Sequence, residues 1–192
     1  MSVAAPLLTV IAGPNGVGKS TLTASLKVAR GTPILDPDAI ARSLNPQDPE
    51  TAATWAGRVV LTRQYEYIRS GTSFILETTL AGSAVLRLMD EARRRGFRIH
   101  LMYIGVDDVQ VLLDRIAGRV LEGGHAVPEH DVRRRYVRSM RHMKEAIARA
   151  DDVTLLDNVL DQEPRLVMTI DHGLSTIHAE DVPSWVNSFV VR

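Results

Sequence analysis

The sequence predicts an α/β fold, a mostly parallel sheet of about five to six strands with helices on both faces. Three observations carry that expectation. Short apolar, β-branched runs alternate along the chain with segments whose apolar residues recur every three or four positions. One such run, Leu8-Thr9-Val10-Ile11-Ala12, leads directly into Gly13-Pro14-Asn15-Gly16-Val17-Gly18-Lys19-Ser20-Thr21, which fits the pattern G-x-x-x-x-G-K-S/T at every fixed position. After it, Leu22, Leu26 and Ala29 recur at helical spacing, so strand, loop and helix fall in the order the phosphate-binding loop requires. The expected architecture is therefore the P-loop NTPase fold. Its glycines let successive backbone N–H groups point into one concavity, and the helix N-terminus adds partial positive charge there. Lys19 would reach the β- and γ-phosphates of a nucleoside triphosphate, and the Ser20 hydroxyl would ligate Mg²⁺.

The remaining elements follow in order. Residues 32–35 make a second short strand closed by Asp36-Pro37-Asp38, and a helix opens there with Ile40, Ala41 and Leu44 on its inner side. Asn45-Pro46-Gln47-Asp48-Pro49 breaks the chain. A longer helix over 50–70 buries Val59, Val60, Tyr67 and Ile68, and Gly71 ends it. Residues 74–76 form the third strand, with Glu77-Thr78-Thr79 at its C-terminal end. Ser83 is placed to cap a helix whose face carries Val85, Leu86, Met89 and Ala92 and which stops at Gly96. The fourth strand, 98–105, ends in Val106-Asp107-Asp108, and the next helix is striped by Val109, Leu112, Leu113, Ile116 and Val120. A Gly-Gly-His loop over 122–128 precedes a basic helix with Val132, Tyr136, Met140, Met143 and Ile147 at spacings of three and four. Residues 153–156 and 166–170 supply the fifth and sixth strands. Pro183 opens a short helix that buries Trp185, Val186 and Phe189.

Composition narrows the partners. The 192 residues can bury one sizeable core, so 1–192 reads as a single domain, with a lid region near 119–138. Equal numbers of basic and acidic residues, 23 each, give no global electrostatic case for nucleic acid or an anionic membrane. The absence of cysteine excludes disulfides and thiolate metal sites and fits a cytoplasmic setting. The apolar start lacks a basic leader region and runs straight into the phosphate loop, so it is expected to be a core strand. No run approaches the roughly 18 apolar residues of a membrane helix.

In a parallel sheet the ligand sits beyond the C-terminal strand ends. The chain puts acidic groups there: Asp36 and Asp38, Glu77, and Asp107 and Asp108. A guanine-nucleotide switch would carry an Asn-Lys-x-Asp element, and a transport ATPase its glycine-rich signature; neither is present. A small-molecule kinase fits better. Phosphoryl transfer needs an orienting base at the acceptor hydroxyl and cations around the migrating group. Asp38 is the candidate base, with helix N-cap as the competing role, and Asp36 could take the cap or stand in the outer shell of Mg²⁺. Glu77 is either a functional carboxylate or a strand-end group in solvent. Arg115 and Arg119 lie one turn apart, and Arg133, Arg134, Arg135, Arg138 and Arg141 crowd the following helix. Most of these read as a solvated basic face with Glu122, Glu129 and Asp131 as pairing partners. Two or three beside a glycine-rich loop instead look like a lid over triphosphate. Arg93-Arg94-Arg95 ends a helix and reads as structural. His125 and His130 are not expected to bind metal.

The ordered set Gly13 to Thr21, Asp36-Pro37-Asp38-Ala39-Ile40-Ala41, Leu76-Glu77-Thr78-Thr79-Leu80 and Arg119-Val120-Leu121-Glu122-Gly123-Gly124-His125-Ala126-Val127-Pro128, with Arg134-Arg135-Tyr136 after it, resembles the zeta toxin family in its shorter form. The resemblance spans about residues 8–141. It implies a kinase that phosphorylates a hydroxyl of a UDP-activated amino sugar, notably UDP-N-acetylglucosamine, at the expense of ATP or GTP with Mg²⁺. Carried over by motif, Lys19 and Ser20 hold triphosphate and metal, Asp38 is the base, and Glu77, with Thr78 beside it, contacts the sugar. Arg119 and either Arg134 or Arg135, here Arg134, stabilise the γ-phosphoryl group. An antitoxin partner is possible on the same ground. The alternative from another class is a nucleotide-dependent regulatory ATPase whose arginine face grips a macromolecule.

Overall fold

Five of the six residues of β1 (Leu7–Ala12) are buried, which is the pattern of a strand covered on both faces. The structure, a computed structural model, describes residues 4–26, 31–124, 126–159 and 163–187. Ala29, His125 and Phe189, named above on sequence grounds, lie outside them.

Around β1 the described residues form one mixed sheet of seven strands in the order β2-β3-β1-β4-β5-β6-β7. β2 (Ile34–Leu35), β3 (Phe74–Thr78), β4 (Arg98–Gly105) and β5 (Asp152–Asp157) run parallel to β1. β6 (Arg165–Asp171) and β7 (Leu174–Ile177) close the far edge antiparallel. The helices are α1 (Lys19–Ser25), α2 (Pro37–Leu44), α3 (Pro49–Ser70), α4 (Ala84–Arg94), α5 (Val109–Leu121), α6 (Glu129–Ile147) and α7 (Ser184–Asn187). Register matters for the site. Ala12 pairs with Thr78 on β3 and with Tyr103 on β4, so the three strands end side by side where the phosphate loop leaves the sheet. The chain reaches β3 on one side of β1 and β4 on the other, which is the switch point where open α/β sheets bind ligands.

The local sequence accounts for most boundaries. Asp48 caps α3 by accepting from Thr51 N, Pro49 occupies its first turn, and Gly71 ends it with φ 67°. A second packed group joins Val17 of the loop to Ile104, Val106, Leu112, Ile116, Val132 and Leu156, tying the loop to α5 and α6.

Four expectations are corrected. The sheet has a seventh strand: His172 and Gly173, both at positive φ, turn the chain back in a two-residue hairpin from Asp171 to Leu174. All four residues of β7 are exposed, so it carries none of the apolar alternation that marks a strand. α1 stops at Ser25, and Leu26, expected on the helix, is its extended C-cap. Ser83 stands at the N-cap of α4, but its hydroxyl makes no capping bond and accepts from Arg87 Nη1 at 2.8 Å. In α3 the buried stripe is Ala52, Ala56, Val60, Gln64 and Ile68, whereas Val59 and Tyr67 are half-buried.

Candidate active site

The phosphate loop is held against the ends of its neighbouring strands. Gly13 N donates to Thr78 O at 3.3 Å, and a Cβ at Gly13 would lie 2.3 Å from Ile104 O, so this close approach requires glycine. Asn158, buried just beyond β5, donates Nδ2 to Val17 O at 2.9 Å and its own N to Gly105 O at 3.1 Å. Gly18, at φ 94°, leaves the room for that amide: a Cβ there would come within 2.8 Å of it. Asn158 carried no motif and stood in an unremarkable Leu-Asp-Asn strand end, so sequence reasoning missed it.

Lys19 lies at the centre of the charges. Its Nζ donates to Gly13 O at 2.9 Å and Pro14 O at 3.0 Å. Burial lowers its pKa; the carboxylates of Asp38, Glu77 and Asp36, in that order, pull it back up, and Arg119 lowers it slightly. One ammonium group thus lies within electrostatic reach of residues from the exits of β2 and β3 and from the end of α5.

Asp36 and Asp38 divide their roles. Asp36 Oδ1 accepts from Asp38 N at 2.9 Å and caps α2, while Arg42 stands 3.8 Å from its other oxygen. Asp38 is in the first turn of the helix and exposed, so its carboxylate is not consumed by capping. Asp107 and Asp108, expected at the same rim, are spent elsewhere. Asp107 accepts from Ser184 N, Ser184 Oγ and Trp185 N at the start of α7, and Asp108 caps α5 through Gln110 N.

Glu77 is 4% exposed, which excludes the solvent role. Ser20 Oγ donates to its Oε2 at 3.0 Å. Burial raises its pKa, Asp36 adds to the rise, and hydrogen bonds from Thr23 and Ser20 oppose it. A hydroxyl and a carboxylate at this spacing suit Mg²⁺, which in such sites takes one or two protein oxygens and completes its shell with phosphate and water. Among the described residues no group of three acidic or histidine ligands forms a dedicated metal cage. Folded Glu77 holds its proton more tightly than an unfolded glutamate, so its contribution to stability is present below pH 4.5 and is lost as pH rises through the raised value. Glu77→Gln is therefore expected to flatten the fall in melting temperature with pH above that point. A profile as steep as that of the wild type would contradict it.

Thr78 Oγ1 accepts from Leu80 N at 3.0 Å. Leu80, fully buried, is held at φ 55°, and its carbonyl meets His142 Nδ1 of α6 at 2.9 Å.

The arginines separate cleanly. Gly123 and Gly124 close α5 by donating to Val120 O and Arg119 O, and a Cβ at Gly124 would lie 2.5 Å from Arg119 Cγ. Arg133 pairs with Glu129 at 2.7 Å and Arg134 with Asp131 at 2.7 Å, both on the outer turn of α6. Arg135 stands 3.9 Å from the other Asp131 oxygen and also reaches inward, donating Nη1 to Asn15 Oδ1 of the phosphate loop at 3.3 Å. Arg138 and Arg141 lie on the exposed face of α6, and Arg94 and Arg95 pair with Glu91, as a structural helix end requires.

This fold and this loop define a P-loop nucleotide-binding domain. Residues 8–146 match the AAA domain family AAA_33, and the chain belongs to it. A Haemophilus influenzae protein, itself uncharacterised, is 40% identical over 124 residues, 65% of this chain and 88% of that one. The PezAT chromosomal toxin–antitoxin structure from Streptococcus pneumoniae superposes with a TM-score of 0.64 at 17% identity, over 88% of this chain and 73% of that one. The AvrRxo1-ORF1:-ORF2 complex with ATP gives 0.69 at 20% identity over 90% of this chain, which spans 60% of that one. At these identities the two structures share the fold, and the resemblance to zeta toxin-like kinases holds at that level.

Proposed function

We propose that the chain is an ATP-dependent small-molecule kinase that transfers the γ-phosphoryl group to a hydroxyl of a UDP-activated amino sugar or a close relative. The observation that carries this reading is the company of Lys19: Asp38, Glu77, Asp36 and Arg119 all act on its ammonium charge. The phosphate loop, a carboxylate outside the helix cap and a lid cation are what direct transfer to a hydroxyl requires. The loop N–H groups within residues 15–21 and Lys19 hold the triphosphate of ATP or GTP, and Ser20 with Glu77 provides for Mg²⁺, which supplies charge neutralisation between the phosphates. Asp38 accepts the proton of the attacking hydroxyl. Arg119 is one cation on the migrating group. For the second, Arg135 is preferred to Arg134, because its guanidinium already reaches Asn15 of the phosphate loop and holds Asp131 only at 3.9 Å, against 2.7 Å for Arg134.

No helix among the described residues is long and apolar enough to cross a membrane, and we place the reaction in the cytoplasm, where nucleotides are available. An antitoxin-type protein partner is proposed because two structures of similar fold are of a toxin–antitoxin system and of an ORF1:ORF2 complex.

The test is a pair of arginine variants. Arg119→Ala is expected to lower turnover on the order of a thousandfold, with a much smaller change in ATP affinity, since its contact strengthens in the transition state. Arg135→Ala should lower turnover far more than Arg134→Ala. Equal, mild effects of all three would favour the regulatory ATPase, as would ATP hydrolysis raised by a macromolecule and indifferent to sugars.

A further inference from the structure

The buried stripe of α3 repeats every four residues through Ala52, Ala56, Val60, Gln64 and Ile68, and Gln64 is its polar member. Gln64 is 7% exposed, and among the described residues its amide has no hydrogen-bond partner. Its amide atoms are not sealed from solvent but open on cleft water that a bound molecule would displace. The side chain lines a cleft of about 360 Å³ between α3 and the exit of β3. Thr54 and Arg58 of α3 share that lining with Glu77 and Thr78, and Leu76 and Val85 supply apolar wall.

We propose that this cleft is the acceptor subsite, and that Gln64 and Arg58 select a polyhydroxylated small molecule bearing an anionic group. The inference rests on the kinase reading above. An amide offers two donors and an acceptor, which suits a hydroxyl or an acylamino group, and the ligand's polar group would take the place of cleft water on Gln64. Arg58 is exposed at the mouth, where a guanidinium pairs with phosphate or carboxylate in fork geometry. The apolar wall covers the C–H face of a ring. Glu77 also lines a second cleft, of about 440 Å³, with Ser20, Thr23 and Asp36. Glu77 thus joins the first cleft to the phosphate loop through Ser20, and Pro37, which borders the first cleft, precedes Asp38.

The experiment measures binding to protein saturated with a non-hydrolysable ATP analogue and Mg²⁺. The probes are UDP-N-acetylglucosamine, glucose 1-phosphate and neutral N-acetylglucosamine, and the proteins are wild type, Gln64→Leu and Arg58→Ala. The anionic probes should bind wild type more tightly than the neutral one. Gln64→Leu should weaken binding roughly tenfold or more for every probe that wild type binds, while nucleotide affinity changes less than about twofold. Arg58→Ala should erase the preference for anionic probes, and this surface change keeps the test open if the Leu variant melts early. Wild-type acceptor affinity in a folded Gln64→Leu variant would overturn the proposal. So would nucleotide-loaded protein that binds none of the three probes. Failure to bind the nucleotide at all is a separate reading, and it would sink the kinase assignment with this inference.

Discussion

Lys19→Ala is expected to abolish phosphoryl transfer while leaving the fold intact. The half-buried ammonium is the cation that offsets Asp38, Glu77 and Asp36 at the mouth of the phosphate loop. Without it, three carboxylates face an incoming triphosphate, and like charges in a partly desolvated site repel strongly. Turnover should fall on the order of a thousandfold or more, because the lost charge acts most on the transition state. ATP affinity should fall as well. Stability should change little: burial already disfavours the charged ammonium, and the carbonyls of Gly13 and Pro14 that it contacts can turn to water. The measurement combines ATP titration, turnover and a melting curve. Wild-type turnover in the variant would remove the phosphate-loop assignment.

Asp38→Asn is expected to have nearly as large an effect on transfer and almost none on the structure. Because Asp36 caps α2, the substitution at position 38 disturbs no cap. Melting temperature and ATP affinity should remain near wild type. Transfer should fall about a hundredfold to ten-thousandfold, the range for loss of a positioned base. Asp36→Ala should show the reverse pattern, costing about 1 kcal/mol of stability through the lost cap. Near-normal turnover in Asp38→Asn would sink the catalytic role, and Glu77 would become the next carboxylate to examine.

Much of this site was legible because a few residue types have one dominant use. Gly13, Gly16, Gly18 and Lys19 mark a loop whose geometry other residues cannot adopt, and the strand and helix beside it are announced by periodicity. Asp38 and Glu77 stand at strand exits and Arg119 precedes the glycine-rich loop, and the fold brings all three within electrostatic reach of one ammonium. What stayed hidden depended on tertiary partners. Aspartates at strand ends look alike in sequence, yet Asp107 is consumed by a helix starting 77 residues later, at Ser184. Arg134 and Arg135 both lie near Asp131, but they differ by about 100° around a helix, and that rotation gives Arg135 alone the contact with Asn15. Gln64 could have been found as a polar residue in an otherwise apolar four-residue repeat. Its meaning, however, depends on the cleft it lines, and periodicity does not describe clefts. β7 was invisible because an edge strand exposed along its length needs no apolar face.

The central claim is that the γ-phosphoryl group moves to a small hydroxylated acceptor. Incubation of the wild-type chain with γ-labelled ATP, Mg²⁺ and UDP-N-acetylglucosamine, followed by separation of the products, tests it directly. The expected result is label on the sugar nucleotide, lost in Lys19→Ala and strongly reduced in Asp38→Asn. Label found in inorganic phosphate alone, across this acceptor and a wider panel of sugars and nucleosides, would contradict it.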